Sequence, residues 1–125
     1  MKLFEIFQPL FEMANIRYEN TGLPIAIWIG RVGGPHSFRV KVSNHLKYQG
    51  DSFVMDISKD PKIVAGKSSI SQDIINDVAD WIILNYDLLM KLSVAYENGT
   101  EVNMMINNKE IMLPIDQALK YLQRV

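Results

Sequence analysis

The 125-residue chain contains no cysteine. That absence excludes a disulfide framework, thiolate zinc sites and a cysteine nucleophile together. Long apolar runs are missing as well. None approaches the roughly 18 residues that a membrane-spanning helix needs, so no membrane partner is expected. Glu5 and Pro9 break the opening stretch before it can resemble the apolar segment of a secretory signal. Signatures of chemistry are equally scarce. Gly30-x-x-Gly33-Gly34 lacks the lysine and helix start of a phosphate-binding loop, no Gly-x-Ser-x-Gly occurs, and no acidic pair at metal-ligand spacing accompanies His36 or His45. These absences name no catalytic residue, metal set or cofactor, and a non-enzymatic role is favoured while activity stays open.

What is present describes one domain. Hydrophobic residues make up 48% and charged residues 22%, the usage of a chain that buries a core rather than staying disordered. The net charge of −1 conceals an asymmetry. Between Met13 and Ile70 eight basic residues face four acids, giving +4, whereas Ser71 to Val125 carries four basic residues and eight acids, giving −4. A solvated surface that segregates charge explains this, and a mildly basic face toward a partner is the sharper reading.

The first half reads as strands. Ile25, Ile27 and Ile29 alternate, Phe38, Val40 and Val42 alternate against Arg39, Lys41 and Ser43, and Phe53 to Ile57 repeats the pattern. Gly30 to Pro35 and Asn44 to Asp51 supply reversals, so an antiparallel meander with one apolar face follows. Ile16 to Glu19 adds an edge strand before the Asn20-Thr21-Gly22 turn. Asp60-Pro61 and Gly66 are read as connecting chain. Ser69-Ile70-Ser71-Gln72 fits a capping box, and from there Ile74, Ile75, Val78, Ile82, Tyr86 and Leu89 form a helical stripe that breaks near Asn85 to Asp87. Asn98-Gly99 ends it. Val102 to Ile106 and Ile111 to Leu113 form a hairpin, and Pro114 opens a last helix carrying Ile115, Leu119 and Leu122. The expected fold is α+β: an antiparallel meander of three to five strands on one long or broken helix, with a C-terminal hairpin and short helix.

Residues 1–12 stand apart from the domain at 13–125. Leu3, Ile6, Phe7, Leu10 and Phe11 make an apolar helical stripe, which suits a segment docking on the domain, although Pro9 interrupts a continuous helix. The same stretch resembles the capsid-targeting leader of internal head proteins of T-even-type bacteriophages: a Met-Lys start, an aromatic and acidic middle, and a Leu-x-Glu end, here Leu10-Phe11-Glu12. The resemblance implies cleavage between Glu12 and Met13, packaging in the virion interior and ejection into the host cytoplasm. There an internal protein would bind and inhibit a host macromolecule, most simply a protein. Without the leader a cytoplasmic location is expected, and a structural virion component is a further alternative.

Two constellations could carry binding. Ile27-Trp28-Ile29 through Pro35-His36-Ser37-Phe38 resembles an uncharacterised group of small bacterial domains with an aromatic strand and a Pro-Pro-His-x-His-Val turn, Phe38 standing where the second histidine falls. The turn histidine is most simply structural. Trp28, out of phase with the isoleucines, shares the outer face with Arg39 and Lys41. With Arg31 and His36 these make a basic and aromatic set able to stack bases and meet phosphates, the alternative being a nucleic-acid-binding or nuclease-like module. A cation–π contact, or cover by another segment, explains Trp28 equally. Asp73, Asp77 and Asp80 mark a solvated helix face, and Met90, Met104, Met105 and Met112 are read as core filling. The sequence leaves the oligomeric state open.

Overall fold

The computed structural model describes residues 14–16, 21–23, 25–31, 38–43, 52–67 and 70–125. Their order is β1 (Ala14–Ile16), β2 (Ala26–Arg31), β3 (Phe38–Ser43), β4 (Ser52–Asp56), β5 (Ile63–Lys67), α1 (Gln72–Leu84), α2 (Tyr86–Asn98), β6 (Val102–Ile106), β7 (Lys109–Leu113), α3 (Ile115–Ala118) and a 3-10 turn at Leu119–Tyr121. Strands β1 to β5 pair in sequence order, each antiparallel to the next, while β6 and β7 form a separate two-stranded sheet. The α+β class and the meander follow from the alternation of the strands.

Register explains the core. Ile16, Ile27, Val42 and Phe53 lie in one row across β1 to β4, and Ile29, Val40 and Met55 in the next. All seven are at most 2% exposed. Because side chains alternate faces along a strand, these rows make a continuous apolar surface on one side of the sheet. Val78, Trp81 and Ile82 of α1 and Leu89, Leu92 and Ala95 of α2 complete the same cluster. Trp81, fully buried, is the largest side chain in it.

The break between the helices falls at Asn85, as the polar triplet suggests. Asn85 is buried, and its side chain is fully engaged. Its Nδ2 donates to the Trp81 carbonyl at 2.9 Å and the Gln123 carbonyl at 3.0 Å, while its Oδ1 accepts from the Gln123 N–H at 2.7 Å. One amide thus satisfies the kink and clamps the C-terminal tail against it. The tail continues to Val125, whose N–H donates to the Thr21 carbonyl at 3.1 Å. Gly22, beside it, has φ +77 and would place a Cβ 3.2 Å from the Val125 carbonyl oxygen.

Three expectations are revised. The cap of α1 is Ser71, whose side chain accepts from the Ile74 N–H at 3.3 Å; Gln72 is the first helical residue and donates to Asn76 instead, so no reciprocal box exists around Gln72. Residues 63–67 form a strand, not connecting chain. Its register slips between Val54 and Met55 so that Val64 is an extra residue, and Gly66 takes φ +83 with a Cβ position 2.6 Å from the Ser52 carbonyl oxygen. A bulged edge strand has no clean alternation to recognise. Met105 and Met112 are 63% and 52% exposed, not core, because the hairpin register turns them to the face opposite Val102, Met104 and Leu113. Met90 and Met104 do pack against the core.

Candidate functional site

The outer face of the meander is built by the same registers that build the core. Trp28 lies directly across from Lys41, and Lys41 across from Val54; in the neighbouring row Gly30, Arg39 and Asp56 align. Trp28, Arg39 and Lys41 are all partly exposed. The expected co-facial placement of this trio is therefore present. Val54 is only 4% exposed, although it stands outside the core cluster. Lys41, between Trp28 and Val54 in the ladder, is pushed below the ordinary lysine range by desolvation, since burial disfavours its charged form.

Asp56 is committed to its own turn. Its carboxylate accepts from the Lys62 N–H at 2.6 Å, and its N–H donates to the Lys62 carbonyl at 3.1 Å, closing the connection from β4 to β5. Arg31 ends β2 in register with Phe38. His36, with the glycine-rich turn around it, lies outside the described residues, as do Leu10, Glu12 and Met13 of the expected cleavage site. Arg39, Lys41 and Trp28 are the members of the basic and aromatic set that the sheet brings onto one face.

A second feature had no sequence reading. At the junction of α1 and α2 a cleft of about 450 Å³ is lined by Lys59, Ile83, Leu84, Asn85, Tyr86, Asp87, Leu88, Tyr121 and Gln123. Ile83, Leu84 and Tyr121 are 46%, 46% and 48% exposed, so three large apolar side chains reach water around one concavity. The Lys59 ammonium sits 5.5 Å from the centre of the Tyr86 ring, a cation–π distance. Lys59 and Asp87 supply charge of both signs at the cleft. The signal was in the sequence: Ile82-Ile83-Leu84 is too wide an apolar run for one helical stripe.

The helix carboxylates Asp73, Asp77 and Asp80 are exposed, the solvated face that their spacing suggests. Among the described residues no group of three or more histidine, aspartate or glutamate side chains converges to hold a metal ion. No helix among them is long and apolar enough to cross a membrane.

No family model matches the chain, and no similar curated protein or solved structure was found.

Proposed function

We propose that the chain is a non-enzymatic binding protein that docks on a protein of a host cell, delivered there as an internal component of a phage particle. The observation that carries the binding reading is the cleft at the α1–α2 junction. Exposed Ile83, Leu84 and Tyr121 cluster there with Lys59 and Asp87 beside them, the combination of apolar centre and polar rim typical of protein interfaces. A partner fits if it presents an apolar side chain flanked by polar or charged groups. Delivery rests on the leader resemblance, with Leu10 and Glu12 as recognition residues and Met13 as the first residue after the cut.

Two experiments test the two halves. Affinity capture from host lysate with the whole chain and with Leu84→Asp should yield a band that the variant loses while its circular dichroism is unchanged; capture independent of residue 84 refutes the cleft. Mass spectrometry of purified particles should find a species beginning at Met13, and absence of the protein from particles refutes delivery.

The outer sheet face supports a second reading, a nucleic-acid-binding surface, because Trp28 stands beside Lys41 with Arg39 in the next row. A stacking platform between cations is the chemistry single strands require. The desolvation of Lys41 weighs against it, since a lysine partly withdrawn from water is a poorer phosphate ligand. Binding to single-stranded DNA that falls with salt and with Trp28→Ala would favour this surface over the cleft.

A further inference from the structure

Among the described residues the hairpin β6–β7 has one strand edge that pairs with no other strand. Helices α2 and α3 pack against β6, whereas β7 pairs only with β6 among the described residues. Its connection is a two-residue loop in which Asn107 and Asn108 have φ 52 and 64, the mirror-image turn that suits a tight hairpin. Ile106 and Lys109 therefore close the ladder as a hydrogen-bonded pair, and pairs alternate from there: Met104 with Ile111 and Val102 with Leu113 are hydrogen-bonded, while Met105 with Glu110 and Asn103 with Met112 are not. It follows that the backbone N–H and C=O groups of Glu110 and Met112 point away from β6. They sit symmetrically about Ile111.

We infer that a second copy of this chain pairs antiparallel along β7, across a two-fold axis through Ile111, joining the two hairpins into one four-stranded sheet. Three registers place outward-pointing residues opposite each other near the strand centre. Centring on Glu110 sets two carboxylates face to face, which destabilises a cross-strand pair. Centring on Met112 places Pro114 opposite Glu110, and proline has no N–H to give. Centring on Ile111 avoids both: Glu110 exchanges its two bonds with Met112 of the second copy, and Lys109 lies opposite Leu113. Charge and proline thus select one self-complementary register.

Side chains agree with it. On the core-facing side the row becomes Met104, Ile111, then Ile111 and Met104 of the second copy, an unbroken apolar line continuing the core. On the other side the rows run Met105, Glu110, then Met112 and Asn103 of the second copy, so each exposed Met112 packs beside the aliphatic stem of a Glu110. Ile111 and Met112, 36% and 52% exposed, lose water contact in the pair. Five-residue strands make a small interface, so association falls at the weak end of the range, between about 1 µM and about 100 µM.

The absence of native cysteine gives a direct test. Ile111 faces its symmetry mate as a non-hydrogen-bonded pair, where Cα atoms stand about 4.5 Å apart, within reach of a disulfide. Under mild oxidation at about 100 µM full-length chain, Ile111→Cys is expected to form an intermolecular disulfide at least about tenfold faster than Ile63→Cys, a comparably exposed position on the other sheet's edge. Met112→Pro removes an outward N–H that no hairpin bond uses, and should abolish both the cross-link advantage and the wild-type dimer seen by sedimentation velocity. Equal cross-linking at residues 63 and 111, a wild-type monomer at several hundred micromolar by order of magnitude, or a dimer that survives in a folded Met112→Pro variant would each overturn the pairing.

Discussion

Replacing Asn85 by alanine should loosen the C-terminal tail and destabilise the whole domain, by an amount the geometry bounds. The side chain makes three hydrogen bonds, of 2.9, 3.0 and 2.7 Å, from a position 4% exposed. At about 1 kcal/mol net each, their loss sums to about 3 kcal/mol. Two adjustments lower it. The Trp81 carbonyl still receives the Asn85 N–H at 3.1 Å, and Gln123 is exposed enough for water to satisfy its freed groups. We therefore expect about 2 kcal/mol from urea unfolding, with the slope unchanged. Asn85→Asp should be worse than alanine at neutral pH, because a carboxylate would face the Trp81 and Gln123 carbonyls without a donor. Those carbonyls and burial would raise the new aspartate's folded pKa above its unfolded value. Its destabilisation should then fade as the pH is lowered toward the ordinary carboxylate range, where the acid can donate.

A double-mutant cycle isolates the clamp. Deleting residues 123–125 removes two of the three bonds, so Asn85→Ala in that background should cost less than about 1 kcal/mol, leaving a coupling of at least about 1 kcal/mol. A cost below about 0.5 kcal/mol in the full chain, or additive effects in the cycle, would refute the assignment of Asn85 as the tie between kink and tail.

Other substitutions test other links. Gly66→Ala should destabilise by about 2 kcal/mol or more, since φ +83 and a Cβ 2.6 Å from the Ser52 carbonyl oxygen leave no relaxed solution; thermal melts that match wild type would remove the bulge from the account. Trp81→Ala should cost about 3–5 kcal/mol by emptying the centre of the core, and unfolding at ordinary urea midpoints would show the helices held by something else. For Lys41 the sign follows from burial: its folded pKa is lowered, so the unfolded chain binds more protons between the lowered and the ordinary lysine values, and this residue's contribution to stability rises with pH across that interval. The difference in unfolding free energy between Lys41→Met and wild type should accordingly shift toward wild type as pH climbs through that window, and a pH-independent difference would contradict desolvation.

Where a residue pattern serves one purpose, it was legible. Arg39 to Val42 alternates because one face is core and the other is not, and the strand bounds match the expected run, although Ser43, expected to face outward, is fully buried. The break at Asn85 was readable because a polar triplet interrupts an apolar stripe. Strand β5 was hidden because its apolar residues answer to an edge, a bulge and a glycine rather than to two distinct faces. Ser69 and Ser71 were indistinguishable as caps until the first helical residue was placed. Met105 and Met112 went astray because methionine suits a core and a surface alike, and only register separates the two. The co-facial trio on the outer sheet could be found by counting parity, whereas the cleft needed the tail's path: Tyr121 is far from Ile83 and Leu84 in sequence, and no local pattern announces their meeting.

The bond from Val125 to Thr21 carries a consequence for synthesis. On a ribosome the chain emerges from its N-terminal side, yet the segment leading into the first long strand is held by residue 125, made far later. The sheet's strands can meet locally while translation continues, but the strap around Thr21 and Gly22 cannot close until residue 125 has left the exit tunnel. Closure of the strap is therefore a late event by construction, and the interval before it is when the apolar face is most open to a chaperone.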